Sequence, residues 1–182
     1  MIFKRLAIPD VVLLEPKKFG DERGYFMETF RQSLFDEEVG PTSFVQANQS
    51  LSRDAGTVRG LHFQLPPQAQ GKLVSCVTGA ILDVAVDLRP GSQTYGQHVS
   101  AELSGENGHQ LWIPEGFAHG FCTLEPMTTV SYKVTAYYAA HLDRGLLWND
   151  PALAIAWPVQ VDSAILSAKD RVQPVLADVK MR

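Results

Sequence analysis

The chain is 182 residues long, carries 16 Lys+Arg against 20 Asp+Glu for a net charge of −4, and is 45% apolar. That size and apolar content give one domain with a sizeable core, so a single domain over residues 1–182 is expected without metal or disulfide staples. Mild acidity argues against a nucleic-acid partner, the composition excludes disorder, and no apolar run nears the ~20 residues that cross a bilayer. The N-terminal segment lacks a long apolar stretch, so no secretory signal is expected. Cys76 and Cys122 each lie in an apolar run. They read as buried thiols in a reducing cytoplasm rather than as a bridge.

Turn residues recur at short intervals, and the segments between them are rich in β-branched and aromatic residues. In chain order, strands are predicted over Val11–Glu15, Gly24–Phe30, Ser43–Ser50, Val58–Gln64 and Lys72–Thr78. Five more follow over Ala80–Leu88, His98–Leu103, Gln110–Ile113, Ala118–Thr123 and Thr128–Tyr137. In Ala80–Leu88 the alternation is clear: Leu82, Val84, Val86 and Leu88 share one face, Ile81, Asp83, Ala85 and Asp87 the other. Arg31–Val39, stopped by Gly40-Pro41, suits a helix, and the tail after Ser163 suits a short turn. Ten short strands at this spacing predict an all-β sandwich or barrel instead of alternating βαβ units.

Polar residues interrupt segments that should be buried. In Arg59-Gly60-Leu61-His62-Phe63-Gln64, His62 alternates with Gln64. Arg59, three residues from His62, falls on the opposite face of a regular strand, and the two share a cavity only if the strand bends near Gly60. Lys72 opens a strand, His119 follows a Pro-x-Gly turn, Tyr132 interrupts an apolar face, and Gln46 and Asn48 lie on one face. Each has a plainer role when taken singly: a satisfied core histidine, a solvated strand end, a packing tyrosine. Their combination in one sandwich points to acid–base chemistry.

A metal is the first alternative, because Pro114-Glu115-Gly116-Phe117-Ala118-His119 is similar to the second motif of the cupin superfamily. Metal-binding cupins carry His-x-His and a following Glu in the first motif, placing imidazoles on one face. Here the matching stretch reads His62-Phe63-Gln64 with no Glu within ten residues. Two imidazoles fall short of the ligand sets typical of zinc or non-haem iron.

Six motifs in order carry a closer resemblance. They are Phe19-Gly20-Asp21-Glu22-Arg23-Gly24, Arg59 to Gln64, Gln70-Gly71-Lys72, Trp112 to Phe121, Leu147-Trp148-Asn149-Asp150 and Leu166-Ser167-Ala168-Lys169-Asp170. Together they resemble the signatures of the dTDP-4-dehydrorhamnose 3,5-epimerase family. The resemblance implies a cupin-type jelly-roll working as a cytoplasmic homodimer, without metal or cofactor, on a dTDP-linked 4-keto-6-deoxy sugar. In that substrate the C3 and C5 hydrogens both lie α to the C4 ketone. Removing either needs a base, a stabiliser for the enolate oxygen and an acid on the other ring face.

By the same resemblance His62 is the base, Lys72 the enolate stabiliser and Tyr132 the acid. Asp170 orients His62, with Asp83 as the alternative carboxylate. Arg59 and Arg23 match diphosphate contacts, where a guanidinium fork suits the geometry. Phe19, Phe26, Glu28, Gln46 and Asn48 match contacts to thymidine and sugar, with His119 near the sugar and Lys169 near the nucleotide. Arg23, Phe26 and Glu28 are candidates to serve a partner subunit's site. The loop after Tyr137-Tyr138 departs from the pattern: Ala stands where the family usually holds Pro, and Asp143 replaces the usual Glu. Relatives that epimerise one carbon share these motifs, so reaction at one carbon is the alternative to reaction at both.

Overall fold

The computed structural model describes residues 1–180. Its strands begin with β1 (Ile2–Arg5), β2 (Val12–Glu15), β3 (Lys18–Asp21) and β4 (Gly24–Met27). After helix α1 (Gln32–Glu38) come β5 (Gln46–Ser52), β6 (Val58–Gln64), β7 (Lys72–Thr78) and β8 (Ala80–Asp87). The series closes with β9 (His98–Ser104), β10 (Gln110–Ile113), β11 (Phe117–Thr123), β12 (Thr128–Val134) and β13 (Asp143–Gly145). A six-stranded sheet runs β1-β2-β10-β7-β12-β5, a five-stranded sheet runs β13-β6-β11-β8-β9, and β3-β4 is a separate hairpin. All strand pairs are antiparallel. The two sheets stack as a cupin-type β-sandwich.

Each of the ten predicted segments contains a strand, and β6, β7 and β10 match residue for residue. The differences lie at the edges. β4 ends at Met27 and β12 at Val134, both short of the predicted Phe30 and Tyr137. β1 and β3 carry little apolar alternation, and β13 (Asp-Arg-Gly) has none. These three short strands exist because a neighbour offers backbone groups: Asp143 to Gly145 pair with Gln64 to His62. The tail holds three 3-10 turns, Val161–Ser163, Asp170–Val172 and Leu176–Asp178, where one was expected.

Between the sheets lies an apolar core of Val11, Val74, Ile81, Ala85, Leu103, Leu111, Ile113, Phe117, Phe121 and Val130. The outer face of the five-stranded sheet is also buried. Leu61, Phe63, Val84, Val86 and Ala118 pack there against Leu146, Leu153, Trp157 and Leu176 from the C-terminal segment. That second cover explains why β8 is buried along both faces, with Leu82 alone half-buried. The opposite outer face is covered by α1, whose Phe35 meets Trp112 edge-on at 5.2 Å. Cys76 and Cys122 are both free; Cys76 faces the inter-sheet core and Cys122 the outer cluster with Trp148. Burial pushes both thiols up to about 11, so neither is reactive at neutral pH. Among the described residues no helix is long and apolar enough to cross a membrane.

One end of the sandwich is tied by Asp87, fully buried at the end of β8. Its carboxylate accepts hydrogen bonds from the Arg89 backbone and guanidinium and from the Ser92 and Thr94 hydroxyls, at 2.6 to 2.9 Å. Arg89 in turn lies over the Phe117 ring, 4.6 Å from its centroid. Burial alone would raise the Asp87 carboxyl, but these donors outweigh it and hold it well below the usual carboxylate range. A group depressed in this way contributes stability above its unfolded pKa, ~3.9, and loses it as pH falls through the lower folded value. D87N is therefore expected to cost about 2–3 kcal/mol at pH 7. Urea melts should show that penalty constant from pH 5 to 8 and shrinking only in strong acid.

Candidate active site

Toward this same end, on the far side of β11 from Asp87, the inward-facing positions turn polar. His62 and Gln64 come from β6, Lys72 from β7, Asp83 from β8, His119 from β11, Tyr132 from β12, and Gln46 and Asn48 from β5. The bend near Gly60 is present. β6 and β11 pair His62 with His119 but Arg59 with Phe121, so β6 carries one residue more than its partner across that interval. The resulting bulge restores Arg59 and His62 to one face. Gly60 sits at φ +123°, and a Cβ there would lie 2.6 Å from the Gly120 Cα. Only glycine fits. Arg59 reaches across to β5, donating to the Ser52 hydroxyl and the Leu51 carbonyl at 3.0 Å.

A cavity of ≈ 390 Å³ is lined by His62, Lys72, Tyr132, Gln46, Asn48 and Asp143, together with Phe63, Gln64, Gln70, Tyr138 and Lys169. His62 and Tyr132 come from different sheets, so they approach the space from opposite walls. Behind His62, its Nε2 lies 2.5 Å from Asp170 Oδ1. Burial raises the Asp170 carboxyl, but the His62 contact, the Ser167 hydroxyl and the Gly60 backbone outweigh it and hold it below the ordinary value. Asp83 pairs instead with His119, Nε2 to Oδ1 2.7 Å, so each histidine has its own carboxylate.

Lys72 is buried, and its ammonium donates to the His62 carbonyl at 3.2 Å. Burial pulls its amine down to about 8, with the charges of Asp143 and Asp83 opposing. Burial also raises the Tyr132 phenol above its ordinary value, keeping it protonated at neutral pH; Arg59 opposes and Asp143 adds to this. His119 is lowered by burial and, further, by Lys72 and His62, against the opposing pull of Asp83.

The residues expected at the site are not all brought together. His119 is buried beside His62 on the neighbouring strand and does not line the cavity, and neither does Arg59, which shares the face of His62 but is engaged with β5. Phe19, Arg23, Phe26 and Glu28 belong to the hairpin segment and do not line it either. Arg23 pairs with Asp21 at 2.5 Å and Glu28 with Arg31 at 2.8 Å, while Phe26 is 70% exposed. A larger cavity of ≈ 540 Å³ lies beside this hairpin, with Phe26, Phe30, Ser75, Ser131 and Lys133 in its wall, and holds no histidine or carboxylate. Tyr132 lines this space as well, but among the described residues no base faces it there.

Four lining residues were not among the expected site residues: Phe63, Gln64, Gln70 and Tyr138. Gln64 accepts from the Ala139 backbone and donates to the Gln68 carbonyl, and Gln70 donates to that of Ala136, so both hold the loop that carries Tyr138. Tyr138, an exposed aromatic, bonds Asp143 at 3.2 Å, and Asp143 pairs with Lys169 at 2.5 Å. An unpaired large aromatic in a loop next to a charged pair was the available signal.

Fold and cavity define the class: a cupin-type β-sandwich with a base, a buried cation and a phenol facing one space. Residues 5–178 match the family model described as dTDP-4-dehydrorhamnose 3,5-epimerase. The dTDP-4-dehydrorhamnose 3,5-epimerase of a Sinorhizobium fredii strain is 59% identical, over 98% of this chain and 91% of that protein. Among solved structures, the Bacillus anthracis 3,5-epimerase with TDP and pyrophosphate bound superposes with TM-score 0.91 at 51% identity, covering 96% of this chain and 99% of that one. A Legionella pneumophila dTDP-6-deoxy-D-glucose-3,5-epimerase in complex with dTDP-4-keto-L-rhamnose gives TM-score 0.93 at 44% identity, over 98% and 94%. The chain belongs to the dTDP-4-dehydrorhamnose 3,5-epimerase family.

Because Gly60 has both a positive φ and no room for a Cβ, G60A is expected to cost about 3 kcal/mol or more. Chemical denaturation should register that loss, and the folded remainder should turn over poorly because Arg59 and His62 no longer share a face.

Proposed function

We propose that this chain converts dTDP-4-dehydro-6-deoxy-D-glucose to dTDP-4-dehydro-L-rhamnose by epimerising C3 and C5, a step of dTDP-L-rhamnose synthesis. The observation that carries the reading is the opposition of His62 and Tyr132 across one cavity, with the buried Lys72 ammonium between the sheets. A sugar ring lying between those walls has a base on one face and an acid on the other. His62, oriented by Asp170, takes the proton α to the ketone, and the C–H electron pair moves onto the C4 oxygen. Lys72 stabilises the enolate oxygen; in a water-poor site the loss of such a group costs ~10²–10³ in rate. Tyr132 then delivers a proton to the opposite face, the ketone re-forms and the centre is inverted. Reaction at both carbons is favoured by the 3,5-epimerase names of the relatives at 51% and 59% identity.

Arg59 and Lys169 are placed to meet the diphosphate and nucleotide, and the exposed Tyr138 ring offers a flat face on which a base can stack. The whole chain acts as one domain in this reading, since the C-terminal segment covers the sheet that bears His62. The reading also takes the protein to be a cytoplasmic homodimer. Phe19, Tyr25 and Phe26 expose a large apolar patch, 53% to 70% uncovered, on the hairpin that carries Arg23. Burial of that patch against a second copy brings Arg23, Phe26 and Glu28 to the partner's cavity.

In deuterium oxide, chelator-treated protein should place deuterium at C3 and C5 of the keto-sugar without added metal or nucleotide cofactor. H62A is expected to lower exchange at both carbons by about 10²–10⁴. Y132F should impair turnover and product stereochemistry more than first-step exchange; survival of exchange in H62A, or loss of activity with the metal, rejects the reading.

The shared-site arrangement has its own check. H62A and R23A proteins, each impaired alone, should regain activity when mixed and refolded together, because one site of the mixed dimer holds both native residues. Absence of recovery places Arg23 on its own chain's site or on none.

A further inference from the structure

The mechanism leaves one buried charge without a task. Asp83 is fully buried on β8, and its Oδ2 has no hydrogen-bond partner among the described residues. An unpaired carboxylate oxygen in such a place is costly unless a nearby cation repays it. The cation present is Lys72, also buried, which has one hydrogen-bond acceptor among the described residues, the His62 carbonyl, for its three N–H groups.

The charged and titratable groups around Lys72 divide cleanly by their commitments. On β6, His62 is bound to Asp170 of the C-terminal turn. On β13, Asp143 is held by Lys169 and the Tyr138 hydroxyl. On β12, Tyr132 is a protonated phenol and brings no charge. On β11, His119 is kept neutral by burial. A neutral His119 binds Asp83 as a donor, from Nε2–H to Oδ1, and so leaves the full carboxylate charge in place. Of the two carboxylates whose charge acts on Lys72 among the described residues, Asp143 is held by Lys169 and Asp83 by no lysine or arginine.

We propose that Asp83 is a positioning residue for the reaction: it is the fixed counter-charge that keeps the Lys72 amine protonated, and His119 is the neutral donor that holds it. The inference rests on the role given to Lys72 above, because only the ammonium stabilises an enolate. It also gives the His119–Asp83 pair a task distinct from that of His62–Asp170. The first maintains a charge; the second orients a base.

The sign of the expected pH effect follows. Lys72 acts in its protonated form, so activity falls as pH rises through its pKa. Removing the Asp83 charge lowers that pKa, and the alkaline limb must move to lower pH. D83N should displace the alkaline limb of kcat for deuterium exchange downward by about one pH unit or more. For a one-unit displacement the wild-type to D83N ratio therefore grows about fourfold between pH 6.5 and 8, and more for a larger one. H119Q, which preserves the charge at Asp83, should keep the limb within a few tenths of its wild-type position even where its rate is reduced. A loss in D83N that is uniform across pH overturns the proposal, since a merely structural defect would behave that way.

A wild-type measurement covers the case in which D83N does not fold. In protein carrying ¹⁵N-labelled histidine, His119 should be neutral and protonated on Nε2 at pH 7 and above. An imidazolium there, or the Nδ1–H form, takes the free charge from Asp83 and overturns the proposal. Wild-type protein with no exchange at either carbon would instead sink the functional reading, whatever the histidine spectrum shows.

Discussion

The site depends on how closely two backbones approach, because the contact between Gly60 and Gly120 decides which way four side chains point. A Cβ on either glycine would meet the other strand's backbone within 2.7 Å. With neither present, β6 takes up its extra residue beside β11 and resumes its alternation one position later. Val58 and Leu61 then face the outer clusters, while Arg59 and His62 face inward. A regular strand would have buried Arg59 among the apolar residues beneath the C-terminal segment, or turned His62 there. The bulge thus presents a guanidinium and an imidazole on one face of one strand.

Concentrating polar groups at one end of the sandwich carries a desolvation cost, and the structure distributes it by pairing. Asp170 is satisfied by His62 and Ser167, Asp143 by Lys169 and Tyr138, and His119 by Asp83. Lys72 is left with a carbonyl and two anions at longer range, and burial, which those anions only partly offset, brings its amine down to about 8. Such a cation is still charged at neutral pH but poorly solvated, the state in which it gains most from a new negative charge on a substrate oxygen. The far side of β11 uses the same device for another purpose. Asp87 gathers five donor contacts around one buried carboxylate, and the product is rigidity of a turn.

What could be read from the sequence follows the range of the interactions involved. Central strands such as β6, β7 and β10 declare themselves through local alternation, and their bounds are visible residue by residue. The exposed strands β1 and β3 and the three-residue β13 owe their form to partners distant in the chain, and their own residues hardly signal it. In the same way His62, Lys72 and Tyr132 stand out as polar residues in apolar strands. The sequence poses the choice between Asp83 and Asp170 without resolving it, because one lies on a strand and the other 108 residues from His62. Tyr138 reaches the cavity through a loop whose path is set by hydrogen bonds with Gln64, Gln70 and Gln46, and no periodicity announces it.

The loop that departs from the family pattern shows how a substitution can be accommodated without disturbing the chemistry. Asp143 is one methylene shorter than the glutamate usual at that place, which draws its carboxylate back toward the strand. Lys169 nevertheless reaches it at 2.5 Å and the Tyr138 hydroxyl at 3.2 Å. Lysine has a four-carbon stem and tyrosine sits on an exposed loop, so both partners can move to meet a shorter acid. The strand that carries Asp143 cannot, because its three residues are fixed in register against Gln64, Phe63 and His62. Variation is thereby absorbed at the cavity's rim, where Lys169 and Tyr138 are long and exposed. The His62, Lys72 and Tyr132 positions, set by paired central strands, have no such slack, and the reacting geometry is preserved while the rim adapts.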